Sequence, residues 1–169
     1  MNAKINTDNV VQMHPKEALE SDKKWGAAVM KLGYTMVPSL IFWAQARLNL
    51  NATQLTLLLH LADFWWRRDT MPYPSKAELA ERMRLSERQI QRLMAELEAD
   101  NFIERKSRFH YKGGQQNNEY NMNGLVKKLK KLEPEFTKVR AEAKQKAKNV
   151  AKPGGLLANQ LKTSEGKNE

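Results

Sequence analysis

The chain of 169 residues contains no cysteine. That excludes disulfide scaffolds and thiolate zinc sites and makes a reducing, cytoplasmic setting the expectation. Histidine is nearly as scarce, and His14, His60 and His110 stand too far apart to suggest a metal cluster. No apolar run approaches the ~20 residues of a membrane helix, and the first 24 residues are too polar for a secretory signal. A Gly-rich phosphate loop ending in Gly-Lys-Ser/Thr is missing, as are a His-Glu-x-x-His zinc motif and a cysteine nucleophile. The expectation is a non-enzyme with no cofactor, no metal and no membrane partner.

What is present is 41% hydrophobic and 28% charged, enough for one domain with a real core. The net charge is +10, and its placement is uneven. Residues 1–75 hold 8 Lys/Arg against 6 Asp/Glu, residues 76–124 hold 9 against 8, and residues 125–169 hold 12 against 5. A near-neutral body with a basic appendage favours nucleic acid as the partner.

Residues 1–24 show no sustained period and read as a flexible arm. Pro38 suits the first turn of a short helix carrying Leu40, Ile41 and Trp43. Asn51-Ala-Thr-Gln54, Ser75-Lys-Ala-Glu78 and Ser86-Glu-Arg-Gln89 each put a capping residue three before Glu or Gln, so each predicts a helix start with a reciprocal capping box. Apolar stripes follow: Leu55, Leu58, Leu59, Ala62 and Trp66, then Leu79, Ala80 and Met83, then Ile90, Leu93, Met94 and Leu97. Only about three residues separate the second helix from the third, the spacing of a helix-turn-helix. Phe102–Tyr111 and Asn118–Met122 read as two strands around a turn at Gly113-Gly114. A helix with Leu125, Val126, Leu129 and Leu132 follows, and Pro134 restarts another bearing Phe136, Val139 and Ala143. The expected domains are an arm at 1–24, a helix-turn-helix body with its hairpin at 25–122, basic C-terminal helices at 123–152 and a disordered tail at 153–169.

At ~100° per residue, Ile90, Leu93, Met94 and Leu97 share one side of the Ser86 helix. Arg88, Arg92, Ala95 and Ala99 lie opposite, flanked by Gln89 and Gln91. Arginine forks match guanine edges or phosphates, glutamine amides can pair with adenine, and a small alanine permits close approach. His60 and the aromatic group Trp43, Phe64, Trp65 and Trp66 read as packing or dimer-face residues, because each sits in an apolar helical setting.

The run Tyr73-Pro-Ser-Lys-Ala-Glu-Leu-Ala-Glu-Arg-Met-Arg-Leu-Ser-Glu-Arg-Gln-Ile-Gln-Arg-Leu-Met-Ala-Glu-Leu-Glu-Ala-Asp-Asn-Phe-Ile103 resembles the bacterial winged helix-turn-helix family of regulators and replication proteins carried by plasmids, phages and integrated elements. The resemblance spans about 36–132. It departs at Asn101, where that family usually has glycine, although asparagine tolerates the left-handed backbone expected there. The implied fold is mainly α with a small β-hairpin wing, a winged helix-turn-helix (α+β) with a C-terminal helical extension.

By resemblance, Ser86 caps a recognition helix at about 86–99 in the major groove, with Arg88, Gln89, Gln91 and Arg92 toward DNA. The wing at 102–122 lies on the backbone, where Arg105, Lys106, Arg108 and Lys112 reach phosphate, while Lys76 and Arg84 are positioning contacts. The leading expectation is a sequence-specific double-stranded-DNA-binding transcriptional regulator of a bacterial or mobile element, nucleoid-associated, acting as a homodimer on an inverted repeat. One alternative is a replication or partition accessory that holds an origin and recruits a replication partner protein. The other is a winged-helix module that binds protein and not DNA, which Glu87, Glu96 and Glu98 keep open.

Overall fold

The computed structural model describes residues 20–109, 111, 113, 114 and 116–150. It divides into two compact units, residues 1–35 and 36–169. In the first, α1 (Glu20–Trp25) and α2 (Ala27–Lys31) meet at Gly26, whose φ of 90° is the left-handed turn that glycine allows. Among the described residues the helix is already present at Glu20, inside the segment expected to be an arm, with Glu20 and Asp22 in its first turn and Lys23 and Lys24 in its last, complementing its dipole.

The second unit opens with α3 (Leu40–Trp43), entered through Pro38, whose carbonyl accepts from the Ile41 amide at 3.1 Å. Then comes α4 (Ala52–Asp63). Its capping box is complete: the Gln54 amide donates to Asn51 Oδ1 at 2.8 Å and the Asn51 amide donates to Gln54 Oε1 at 3.1 Å. Trp66 falls beyond this helix and is exposed, so it is not part of the apolar stripe.

α5 (Lys76–Met83) is capped by Ser75, which accepts from the Glu78 amide at 3.0 Å. The return half of the expected box is replaced, since the Glu78 carboxylate instead accepts from Arg82 at 3.1 Å. Arg84 closes α5 with a left-handed φ of 54°, doing without glycine in a turn of three residues. α6 (Glu87–Ala99) then starts on a full Ser86–Gln89 box and ends before Asn101, which takes the left-handed φ of 56° expected of it.

β1 (Glu104–Lys106) and β2 (Glu119–Asn121) are antiparallel, with Arg105 opposite Tyr120. Both are shorter than the expected strands. The chain instead spends residues on the loop, where Gly113 and Gly114 take positive φ. The Tyr120 amide also donates to the Pro72 carbonyl at 2.9 Å, which ties the hairpin to the entry of α5.

α7 (Asn123–Val150) is one helix and not two. Pro134 leaves the Lys130 carbonyl without its helical donor, but both residues are exposed, so that carbonyl faces solvent and is not stranded in the core. Contacts to the α3 region brace the helix beyond the proline. Arg47 Nη1 meets Glu135 Oε2 at 2.6 Å, the Arg47 guanidinium lies 5.8 Å from the Phe136 ring, and that of Arg140 lies 5.0 Å from the Trp43 ring. The pairing holds the Glu135 carboxyl below the usual carboxylate range.

The core joins Leu57, Leu58 and Leu61 of α4, Leu79 of α5, Ile90, Met94 and Leu97 of α6, Tyr120 of the hairpin and Leu125 of α7. At the α6–α7 junction the Leu125 amide donates to the Phe102 carbonyl at 2.9 Å. A Cβ on Gly124 would sit 2.2 Å from the Asn101 carbonyl oxygen, so this approach requires glycine. No described helix is long and apolar enough to cross a membrane.

Candidate nucleic-acid interface

The buried side of α6 is Ile90, Leu93, Met94 and Leu97, the face the periodicity assigns to the core. Its opposite side, with the first turn, forms an open, shallow concavity lined by Ser86, Arg88, Gln89, Gln91, Arg92 and Ala95. Ser86 is committed as the cap. Gln89 spends its carbonyl oxygen on the Ser86 amide at 2.8 Å and the Ser86 hydroxyl at 2.9 Å, so only its NH2 group is left to donate outward. Arg88 and Gln91 are exposed, and Arg88 makes no ion pair among the described residues. Arg92 has only a loose contact, 3.6 Å from Nε to Glu96 Oε1, and is 72% exposed. Glu96 is also held from behind, because the buried Gln54 of α4 donates to its other oxygen at 3.0 Å.

The hairpin cations divide differently from their expected common role. Arg105 is turned inward: its Nε donates to Glu98 Oε2 at 2.6 Å, its Nη2 pairs with the same oxygen, and its backbone amide donates to Glu98 Oε1 at 2.9 Å. The Arg105 bond holds the Glu98 carboxyl below its ordinary range. Such an arginine fastens the hairpin to α6 and is poorly placed for phosphate. Arg108 Nε pairs with Glu119 at 3.2 Å while its guanidinium lies 4.5 Å from the Tyr73 ring. Lys106 stays open, at 4.0 Å from Glu104. Lys76 and Arg84 are exposed at the two ends of α5. Lys112 lies outside the described residues.

Sequence reasoning weighed Glu98 only as a negative charge on the α6 helix and gave Tyr73 no role, yet the two decide what Arg105 and Arg108 do. A charged residue at the end of an amphipathic helix and a tyrosine between two prolines carry no local signal of a partner in the hairpin. Among the described residues no group of three or more His, Cys, Asp or Glu could hold a metal.

The profile of the DnaD N-terminal domain family matches residues 37–140. The chain belongs to the DnaD N-terminal domain family. The match runs from the entry of α3 past Pro134, so the first part of α7 is included in the DnaD N-terminal domain. Among solved structures, the N-terminal domain of DnaD protein from Geobacillus kaustophilus HTA426 is similar at 24% identity, covering 72% of this chain and 96% of that one, with a TM-score of 0.48. No curated protein matches the chain.

Proposed function

We propose that this chain is a non-enzymatic, double-stranded-DNA-binding accessory of bacterial replication, acting in the cytoplasm. In this reading α5, the turn at Arg84 and α6 form a helix-turn-helix and the β1–β2 hairpin its wing. The carrying observation is the exposed Arg88–Gln91–Arg92 face of α6, held rigid by a complete N-terminal box and a fully buried opposite side. Arg88 and Arg92 read base edges or grip phosphate in the major groove, while Lys106 reaches the backbone.

Membership of the DnaD N-terminal domain family, a domain of bacterial replication proteins, supports the replication reading over transcriptional control. The proposed assembly is a homodimer on paired sites, because one short helix covers few base pairs. Selection of bound sites from random duplex DNA, followed by mapping, tests this. Sites clustered at an origin support it, and sites at promoters restore the regulator. Sedimentation on and off DNA tests the dimer, which a monomeric mass in both states overturns.

A second reading, a winged-helix module that binds protein, draws on how many cations are already neutralised. Arg82, Arg105 and Arg108 all face carboxylates, and Glu87 and Glu96 share the α6 surface. Failure of any duplex to bind at low salt selects this reading.

A further inference from the structure

From Arg105 to Asn118 the sequence has four Lys/Arg, two aromatic residues and no Asp or Glu. The base of this loop is clamped. Arg108 is held by Glu119 and by the Tyr73 ring, and its carbonyl accepts from the Gln116 amide at 2.9 Å. Beyond the clamp the chain reverses through Gly113 and Gly114. There, Phe109 is 71% exposed and the fully projecting Tyr111 is 98% exposed. A single exposed ring needs no explanation. Two within three residues, beyond a stem fixed by the Arg108–Glu119 pair, make a built presentation of π-faces.

We propose that Phe109 and Tyr111 form a stacking site for unpaired DNA bases, separate from the α6 surface. The inference rests on the DNA reading above and deepens it: α6 holds the duplex while the hairpin tip takes bases out of it. Chemistry picks this occupant. The chain's net charge of +10 suits a polyanion, and aromatic rings pair with the flat faces of bases. In an intact duplex those faces are covered by neighbouring pairs, so the rings gain only where bases are unpaired or a step is wedged open. Lys106, open at the stem, offers a phosphate contact beside them.

The test compares the full chain on two oligonucleotides of one sequence, a continuous duplex and the same duplex with a central unpaired bubble carrying 2-aminopurine. Tighter binding to the bubble is expected, with quenching of 2-aminopurine on complex formation. Phe109→Leu with Tyr111→Leu keeps apolar bulk without a π-face and should cost about tenfold or more on the bubble, leaving duplex affinity unchanged. Phe109→Tyr with Tyr111→Phe should retain the preference and the quenching. Both positions are exposed, and an unchanged thermal melt confirms that the variants fold. Equal binding of both oligonucleotides by the parent chain overturns the stacking site and leaves the duplex reading standing. Ring-dependent binding to the bubble with none to the duplex supports the site and overturns the duplex reading. Binding to neither overturns both.

Discussion

Arg88 and Arg105 illustrate how two arginines of one sequence class take opposite jobs. Arg88 has solvent on its side and no described ion pair, whereas Arg105 is gripped by Glu98 through three hydrogen bonds or ion contacts. Arg88→Ala and Arg92→Ala should therefore leave folding intact and weaken specific binding by about 1–3 kcal/mol each, relaxing preference at one base position. Quantitative binding to the selected site and its single-base variants checks this; uniform weakening on all sequences would make both residues phosphate contacts. On the opposite face, Leu93 is buried, and Leu93→Ala should cost roughly 2–5 kcal/mol of stability in a denaturant melt. A stable variant would mean that α6 docks by another face.

The Glu98–Arg105 tie also sets a pH dependence. Because Glu98 has its folded-state carboxyl lowered, the tie contributes fully above the ordinary glutamate range. That contribution is lost as pH falls through the lowered folded value. Glu98→Gln should reduce stability at neutral pH and make it less sensitive to acid below the glutamate range. Paired melts of the parent and the variant from neutral to acidic pH read this directly, and parallel profiles would refute it.

At the scale of elements, the helix starts were legible because capping is local. Asn51 with Gln54 and Ser86 with Gln89 interact within one turn. Ser75 with Glu78 was legible only by half, since Arg82 one turn further on competes for the same carboxylate. The buried face of α6 followed from a period of 3.6, and the left-handed Asn101 from its short side chain. The hairpin was harder. Its location was visible, yet its strands are three residues each, and their outer edges are tied to other elements, Tyr120 to Pro72 and Arg105 to Glu98. Those partners are remote in sequence.

The continuity of α7 was also hidden, since a proline reads as a restart and only the contacts of Arg47 and Arg140 show what braces the helix past it. The junction between α6 and α7 carries a further expectation. Gly124→Ala places a methyl against the Asn101 and Phe102 carbonyl oxygens and should destabilise despite alanine's better helix propensity. A thermal melt that rises instead would mean that the junction opens at little cost.

For the whole molecule, the proposed function joins the basic excess of the sequence 125–169 with the exposed cations of α6, as two grips on one duplex. The sequence pointed to DNA and to a hairpin-bearing helical domain, but it ranked transcription first. Nothing in the residues of α6 distinguishes a promoter from an origin, and the family match supplies that preference. Changing Lys138, Lys144, Lys146 and Lys148 together to glutamine keeps α7 whole. If about three of them meet phosphate, the slope of log affinity against log salt should become shallower by about 2–3 units, with site preference unchanged. An unchanged slope would give the helix another job.

A single uninterrupted α7 is also a gauge. Its 28 residues extend about 42 Å, and the last ten have no bracing contact to α3 among those described. A rod of this kind fixes angle as well as distance. One residue inserted after Arg140 advances Lys144 and Lys148, which share one edge within ~40°, by only ~1.5 Å but swings them by ~100° about the axis. Seven inserted residues carry them ~10 Å outward and return them to within ~20° of their original bearing. The azimuth of that basic edge is thus written into the spacing between Arg140 and Lys144, and a change of phase there would redirect it while every residue of the body stayed in place.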